Sequence, residues 1–371
     1  MTELQMFIRE HPKDWEEKLS SDPYNLHIKK SEVSSHILFK YDQIRSDMSL
    51  TICRESRGII LDRNQNYKVV CRAFDKFFNV QESLASPIDW STARVRSKID
   101  GSILKLWWNA VNGEWFLSTN GSFDAYSTEV MFPTSDVKTF GGMFNAAAGS
   151  WFAENVDNLI PTMTYIFEIV GPHNRVVVPY PEIDIYHIGT RANDTGLEYD
   201  VDIGLQKPEL FDFQDEEAVL AMVKELDYHN EGFVVVDKDW NRVKIKSEDY
   251  VRVHRLRGEN TPTPRRILDI VRNNGSDDFL SYFPEYADQF SEIQNKYSNL
   301  LTEVKEDIDR MYSENWDKIN KKEFAIQFAK NCRVPDLMFK INTSKIEGTS
   351  SSIDEYFRSM HVDRLSKLLD L

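Results

Sequence analysis

Glu231-Gly232-Phe233-Val234-Val235-Val236-Asp237-Lys238-Asp239-Trp240-Asn241-Arg242-Val243-Lys244-Ile245-Lys246-Ser247 is the stretch whose reading decides the fold. Residues 232–237 and 242–247 read as two strands, with Lys238-Asp239-Trp240-Asn241 turning between them. Side chains alternate across a strand, so Lys244 and Lys246 share one face while Val243 and Ile245 point to the other. Two lysines on one sheet face form either a solvated surface or a cradle for a polyphosphate.

The same strand-turn-strand pattern recurs upstream. Residues 58–61 and 68–72 flank Asn64-Gln65-Asn66, and 102–108 and 114–118 flank Asn112-Gly113, a strong hairpin signal. Residues 163–170 and 175–178 flank Gly171-Pro172-His173-Asn174, and a helical piece covers 216–226. Hairpins joined by short helices predict an antiparallel α+β domain rather than a doubly wound parallel sheet. The pattern changes after Thr261-Pro262-Thr263-Pro264, because proline continues neither a helix nor a ladder. Beyond it Phe290, Ile293, Tyr297, Leu300, Val304, Ile308 and Met311 recur at three- and four-residue spacing, one apolar face of a long helix. Phe324 and Phe328 repeat the spacing in a second helix. Ser352 followed by Glu355 reads as a capping box that opens a third. The expectation is an antiparallel-sheet domain over residues 1–258 followed by an all-helical C-terminal domain over 259–371.

The chain has 371 residues, 41% of them hydrophobic and 28% charged, which is a globular mixture with room for two domains. No apolar run approaches the roughly 18–20 residues that span a bilayer, and the charged N-terminus lacks a signal-peptide core. Cys53, Cys71 and Cys332 are too few and too scattered for a disulfide framework or a zinc site. A cytoplasmic protein is expected. Forty-five Lys+Arg against 60 Asp+Glu give a net charge of −15, which excludes a protein that coats nucleic acid broadly. The charge is uneven, however. Between Lys244 and Arg266 the basic residues Lys244, Lys246, Arg252, Arg255, Arg257, Arg265 and Arg266 face only Glu248, Asp249 and Glu259. That local basic run suits nucleic-acid phosphates, with Arg255 and Arg257 among the expected contacts.

Lys98-Ile99-Asp100-Gly101-Ser102 precedes a strand, and a Lys-x-Asp-Gly match alone is weak. Three further features strengthen it: Glu168 inside an otherwise apolar strand, Glu231-Gly232 opening another, and the Lys244/Lys246 pair. Clustered positive charge is expected to lower the pKa of Lys98 and free its lone pair for attack on a nucleotide α-phosphate. The product of that attack is a lysyl-AMP, formed by in-line displacement.

The order of these pieces resembles the covalent nucleotidyltransferases, that is, polynucleotide ligases and RNA capping enzymes. Within that superfamily it is most similar to the ATP-dependent RNA ligases of the T-even bacteriophage, tRNA-repair type. The resemblance includes Glu55-Ser56-Arg57-Gly58-Ile59, Asp75-Lys76-Phe77-Phe78-Asn79, the Lys98 motif, Glu168 with Asn174-Arg175, Glu231-Gly232-Phe233, and Lys244-Ile245-Lys246-Ser247 with Tyr250 and His254. It implies an adenylation domain with Lys98 as the adenylated nucleophile. By the same resemblance Arg57 and Lys76 contact the ATP phosphates, Lys244 and Lys246 close around the α-phosphate, and Glu231 binds the nucleotide. Glu168 and Tyr250 are implied to be essential for ligation, and Tyr41 to contact the nucleotide. Asp277, with Asp278 beside it, is the implied metal candidate; the alternative is a first-turn acidic pair of a helix. Mg²⁺ suits oxygen ligands, with Mn²⁺ as the other option. Asn120 departs from the family pattern, which has lysine there.

The implied partners are RNA 5′-phosphate and 3′-hydroxyl ends, single-stranded or in a broken tRNA loop. A separate end-healing kinase/phosphatase is also implied, since the chain has no Gly-rich Walker loop. The competing readings are a DNA ligase or capping nucleotidyltransferase, whose second module is a β-barrel, and a catalytically silent RNA-binding relative.

Overall fold

Three sheets form from the alternating segments in the computed structural model, which describes residues 1–213, 215–258 and 262–371. The first, all antiparallel, runs His27–Lys30, His36–Lys40, Arg57–Asp62, Lys68–Cys71. Helices Glu3–Glu10 and Trp15–Ser20 bury Leu4, Ile8, Trp15 and Leu19 with its Ile37, Phe39, Ile59 and Leu61. The second has the order Glu198–Tyr199, Asp184–Ala192, Met163–Val170, Ser102–Asn109, Glu114–Ser118. Its Leu104, Leu106, Phe167 and Ile169 pack with Met143, Phe144 and Ala148 of helix Phe140–Asn155, which Thr139 caps through the Gly142 amide. The third has the order Leu210–Phe211, Arg94–Ser97, Gly232–Val236, Arg242–Lys246, Phe78–Asn79.

The third sheet positions the chemistry. On one face Val95, Phe233, Val235, Val243 and Ile245 bury themselves under Val219 and Val223 of helix Glu216–Lys224. Each fully buried apolar side chain there stabilises the layer by about 1.5–3 kcal/mol. The other face is left to Arg94 and Arg96, Val234 and Val236, and Arg242, Lys244 and Lys246, as strand alternation requires. Asp215 starts the covering helix by accepting from the Ala218 amide.

Three hairpins and the long helix match the sequence reading, and several details differ. Met163–Val170 pairs with Asp184–Ala192, not with 175–178. The amides of Val177 and Val178 both donate to the Asp100 carboxylate at 2.8 Å, so that segment satisfies its backbone at a buried acid rather than in a ladder. The edge strand Phe78–Asn79 pairs in parallel with Arg242–Lys246, an exception in otherwise antiparallel sheets. Residues 175–178 therefore lie beside the Lys98 loop instead of extending a sheet.

The chain divides into two compact units, Met1–His254 and Arg255–Leu371. The sequence boundary at 258/259 and Thr261 of the proline break fall at residues 259–261, outside the described ones. The second unit is helical among its described residues. Its longest helix, Ala287–Ser313, buries the seven residues whose spacing announced it. Helix Ser350–Ser359 is capped by Thr349, which accepts from the Ser352 amide. Ser352 thus sits one turn inside the helix and the Ser352/Glu355 box does not form, because Thr349 offers the same hydroxyl three residues earlier. All three cysteines are free and buried, and among the described residues no helix is long and apolar enough to cross a membrane.

Candidate functional site

Lys98 follows strand Arg94–Ser97, and its amide donates to Gly232 O at 2.8 Å. That bond sets Lys98 against Glu231, the residue before Gly232. Register does the rest: Gly232 pairs with Lys246, so both lysines meet one carboxylate. Lys98 Nζ lies 2.8 Å from Glu231 Oε2, and Lys246 Nζ lies 2.8 Å from Oε1. Position 232 admits only glycine, since its φ is +131° and a Cβ would meet Ile245 O at 2.1 Å. Gly101 has a similar reason: a Cβ there would strike Ile169 O at 2.3 Å.

Asp100 is 4% exposed. It takes the two amides of 177 and 178 on Oδ2, and the Tyr250 hydroxyl donates to Oδ1 at 2.6 Å. Burial pushes the Asp100 carboxyl up, Glu231 adds to the push, and the Tyr250 hydrogen bond opposes it. Tyr250 is itself buried, so it acts on the site by fixing the Lys98-Asp100 loop. Lys246 lies 5.1 Å from the Tyr250 ring centroid, within cation–π range.

A cavity of about 120 Å³ opens from Lys98 between the second and third sheets. Arg57, Glu168, Phe74, Phe77 and Arg242 line it as well. Glu168 faces it because strand Met163–Val170 places 168 opposite Ile103 and turns its apolar neighbours into the second core. Arg57 begins strand Arg57–Asp62, and Phe77 follows Lys76 on the segment 75–78. That segment is anchored by Asp75, which binds Arg72 at 3.0 Å and Arg191 at 2.9 Å. Phe77 gathers cations: Arg57 at 5.4 Å, Arg242 at 5.7 Å and Lys244 at 5.9 Å from its centroid. Lys76 lies 5.6 Å from the Tyr41 ring.

Electrostatics separates the two central lysines. Burial disfavours the Lys98 ammonium, but the Glu231 and Glu168 carboxylates outweigh it and hold Lys98 above its ordinary range. The expected lowering at Lys98 is therefore corrected: its nearest charged partner is an anion contributed from 133 positions away. The lowered lysine is Lys244, brought down to about 7 by burial and by Lys76, Lys246 and Lys98. Burial also raises Glu168 to about 7 against the pull of Lys98. It opposes the ionised form of Glu231 too, yet Lys98 and Lys246 keep that carboxyl below its usual value. Burial lowers Arg57.

Lys98, Glu168, Glu231, Lys244, Lys246, Arg57, Lys76 and Tyr41 are thus brought into one neighbourhood, with Tyr250 behind it. Asp277 and Asp278 stand exposed in the first turn of helix Ser276–Tyr282, in the second unit. Among the described residues no three His, Cys, Asp or Glu side chains group as a metal cage. Both Glu231 oxygens are occupied by ammonium groups. Arg257 is 2% exposed, so it is no surface contact for a nucleic acid; Arg255 is exposed. Sequence reasoning missed Arg242, although it continues the i, i+2, i+4 series of Lys244 and Lys246. Glu198 pairs with it at 2.8 Å, and its guanidinium stacks 3.9 Å from the Phe74 centroid.

Residues 55–250 match the family model described as RNA ligase. A chain named as a bifunctional polynucleotide kinase/RNA ligase, from Autographa californica nuclear polyhedrosis virus, is 30% identical over 304 residues. The match covers 76% of this chain and 42% of that one, so this chain spans under half the length of that relative. An RNA ligase of Rhodothermus phage RM378 is 24% identical over a 378-residue alignment covering 84% of this chain and 85% of the relative. Among solved structures, an archaeal ATP-dependent RNA ligase overlays with a TM-score of 0.45 at 15% identity, covering 79% of each chain.

Proposed function

We infer an RNA-sealing activity from one premise: the chain belongs to the RNA ligase family. The reaction is ATP-dependent and runs in three displacements at phosphorus. Lys98 Nζ attacks the ATP α-phosphorus, forming a P–N bond as the P–O bond to pyrophosphate breaks. An RNA 5′-phosphate oxygen then attacks the lysyl-AMP, restoring the lysine and capping the RNA with AMP. Finally an RNA 3′-hydroxyl attacks that 5′-phosphate and expels AMP. What carries the reading is the buried Glu231 carboxylate bridging Lys98 and Lys246 beside a cavity that Arg57 and Glu168 also line.

The side chains divide the labour. Lys98 must give up a proton before it attacks, and Glu231, 2.8 Å away, orients the amine while favouring its protonated form. The triphosphate draws on Lys246, Lys244, Lys76 and Arg57, which neutralise the charge spread over the transferring phosphoryl group. Tyr41 and Glu231 border the nucleotide, Glu168 serves the later steps, and Tyr250 holds the loop. A divalent cation, Mg²⁺ or Mn²⁺, would neutralise phosphate charge when bound. No carboxylate cage for it forms among the described residues, and a hydrated ion bound to the triphosphate needs none. Asp277 and Asp278 are exposed enough to hold a hydrated cation through water.

The substrate we propose is an RNA with a 5′-phosphate and a 3′-hydroxyl, single-stranded or in a broken tRNA loop, sealed in the cytoplasm. The kinase named in the baculovirus relative supports a separate end-healing kinase/phosphatase as partner, since this chain matches only part of that relative. The phage relative supports a phage source. The helical second unit, in place of a barrel, weighs against the DNA ligase and capping readings. The test is to add ATP, Mg²⁺ and a 5′-labelled single-stranded RNA. Circles and joined strands resistant to phosphatase are expected. Sealing of nicked duplex DNA without RNA sealing overturns the reading.

A further inference from the structure

We propose that Trp240 is a specificity-determining residue, closing the end of the nucleotide cavity opposite Lys98 and stacking on the base. This rests on the nucleotide reading above and assigns a role to a residue that the Lys-x-Asp-Gly chemistry leaves unused.

The cavity runs along strand Arg94–Ser97, with Lys98 at one end and Arg94 and Trp240 at the other. Four residue steps of strand separate Lys98 from Arg94, about 13 Å at roughly 3.3 Å per residue. With a phosphate at Lys98, the sugar and base extend toward Val234 and Val236, and the base approaches Trp240.

The turn is built to hold that ring. Trp240 has φ +64°, a left-handed conformation rare for a bulky side chain and ordinarily given to glycine or asparagine in hairpin turns. Asn241 is the next residue, so a residue suited to that conformation was one position away. The strain is sustained by Asp237, which is 1% exposed and accepts four N–H bonds. The donors are the amides of Asp239, Asn241 and Asp89 and the Asn241 side chain, at 2.9–3.2 Å. Strained residues kept in place by a saturated network gather at ligand clamps.

Arg94 shares this end of the cavity, with its guanidinium 5.0 Å from the Trp240 centroid and paired to Asp200. A cation covers at most one face of an indole, and the half-buried Trp240 lines the cavity. A purine is the ligand that such a surface takes up best, and stacking is tolerant of which purine it is. Arg94 and Arg96 are held by Asp200 and by Pro208 O, so they shape the end of the cavity.

The experiment measures covalent labelling of wild type, W240A and W240F by α-labelled ATP, ITP and UTP over a concentration range, with thermal melts as a folding control. The expected result is at least a ~5-fold rise in the ATP and ITP concentration for half-maximal labelling in W240A. W240F should restore most of it, UTP should change less, and the maximal labelling rate should hold within about twofold. Equal ATP and ITP dependence in wild type and a folded W240A overturns the assignment. So does an equal change for UTP, or a W240A whose maximal rate falls while the concentration dependence stays. A wild type that takes no label from any nucleotide overturns the nucleotide reading itself, a result distinct from these.

Discussion

Replacing Glu231 by glutamine keeps the shape of the central contact and removes its charge. At 2.8 Å the Lys98–Glu231 pair attracts by about 6 kcal/mol at an effective dielectric of about 20. At ~1.4 kcal/mol per pKa unit, that is an upper bound of about 4 units on the Lys98 ammonium. The Lys98 side chain is 20% exposed, and water on that side screens part of the attraction. Glu168 also continues to hold the ammonium. A downward shift of about 1–2 units is therefore expected. Because the attacking form of Lys98 is the neutral amine, the acidic limb of self-adenylation should move to lower pH by that amount. The assay is single-turnover labelling with α-labelled ATP at saturating concentration, from pH 5.5 to 9. The substitution also leaves two ammonium groups facing a neutral amide, so a stability loss of about 3–5 kcal/mol should accompany it. An acidic limb that stays in place, or rises, refutes the claim that Glu231 sets the protonation of the nucleophile.

Other consequences can be measured separately. Glu168 titrates at about 7 in the folded protein, above its ordinary 4.5. Its contribution to stability is therefore full below about pH 4.5 and is lost as pH rises through 7, at most about 3.4 kcal/mol in all. Denaturant melts of Glu168→Gln should show a flatter decline between pH 5 and 8.5 than wild type; parallel curves contradict the shift. Lys244, lowered to about 7, is mostly neutral at pH 8 and should regain its charge against the triphosphate. Calorimetry in buffers of different ionisation enthalpy should then record uptake of close to one proton on ATP binding at pH 8, absent in Lys244→Met. Arg255→Glu should slow RNA joining several-fold more than self-adenylation, with a shallower salt dependence of what remains. Equal losses in both steps undo that mapping. Arg257→Glu should lower the melting temperature, since it places a carboxylate in a buried position.

Sheet-level features were legible because they are local. Alternation over Val243-Lys244-Ile245-Lys246 assigned faces that the coordinates keep, and the spacing from Phe290 to Met311 set one long helix. What escaped depends on partners far along the chain. The charge state of Lys98 is set by Glu231 and Glu168, which only the sheet register brings near. Residues 175–178 look like a strand until Asp100 claims their amides from 77 positions away. Thr349 displaced Ser352 as a cap because both are capping residues three apart, and sequence alone does not rank them. Trp240 read as a turn residue because its backbone conformation, and Asp237 beneath it, are properties of the folded hairpin.

The central claim is that Lys98 becomes covalently joined to AMP. Purified protein should be incubated with α-labelled ATP and Mg²⁺, and then resolved on a denaturing gel. The account predicts one labelled protein band, released by acid and stable to base as a phosphoramidate is, and lost in a folded Lys98→Ala. A wild type that stays unlabelled across metals and pH contradicts it, and so does a Lys98→Ala that labels as wild type does.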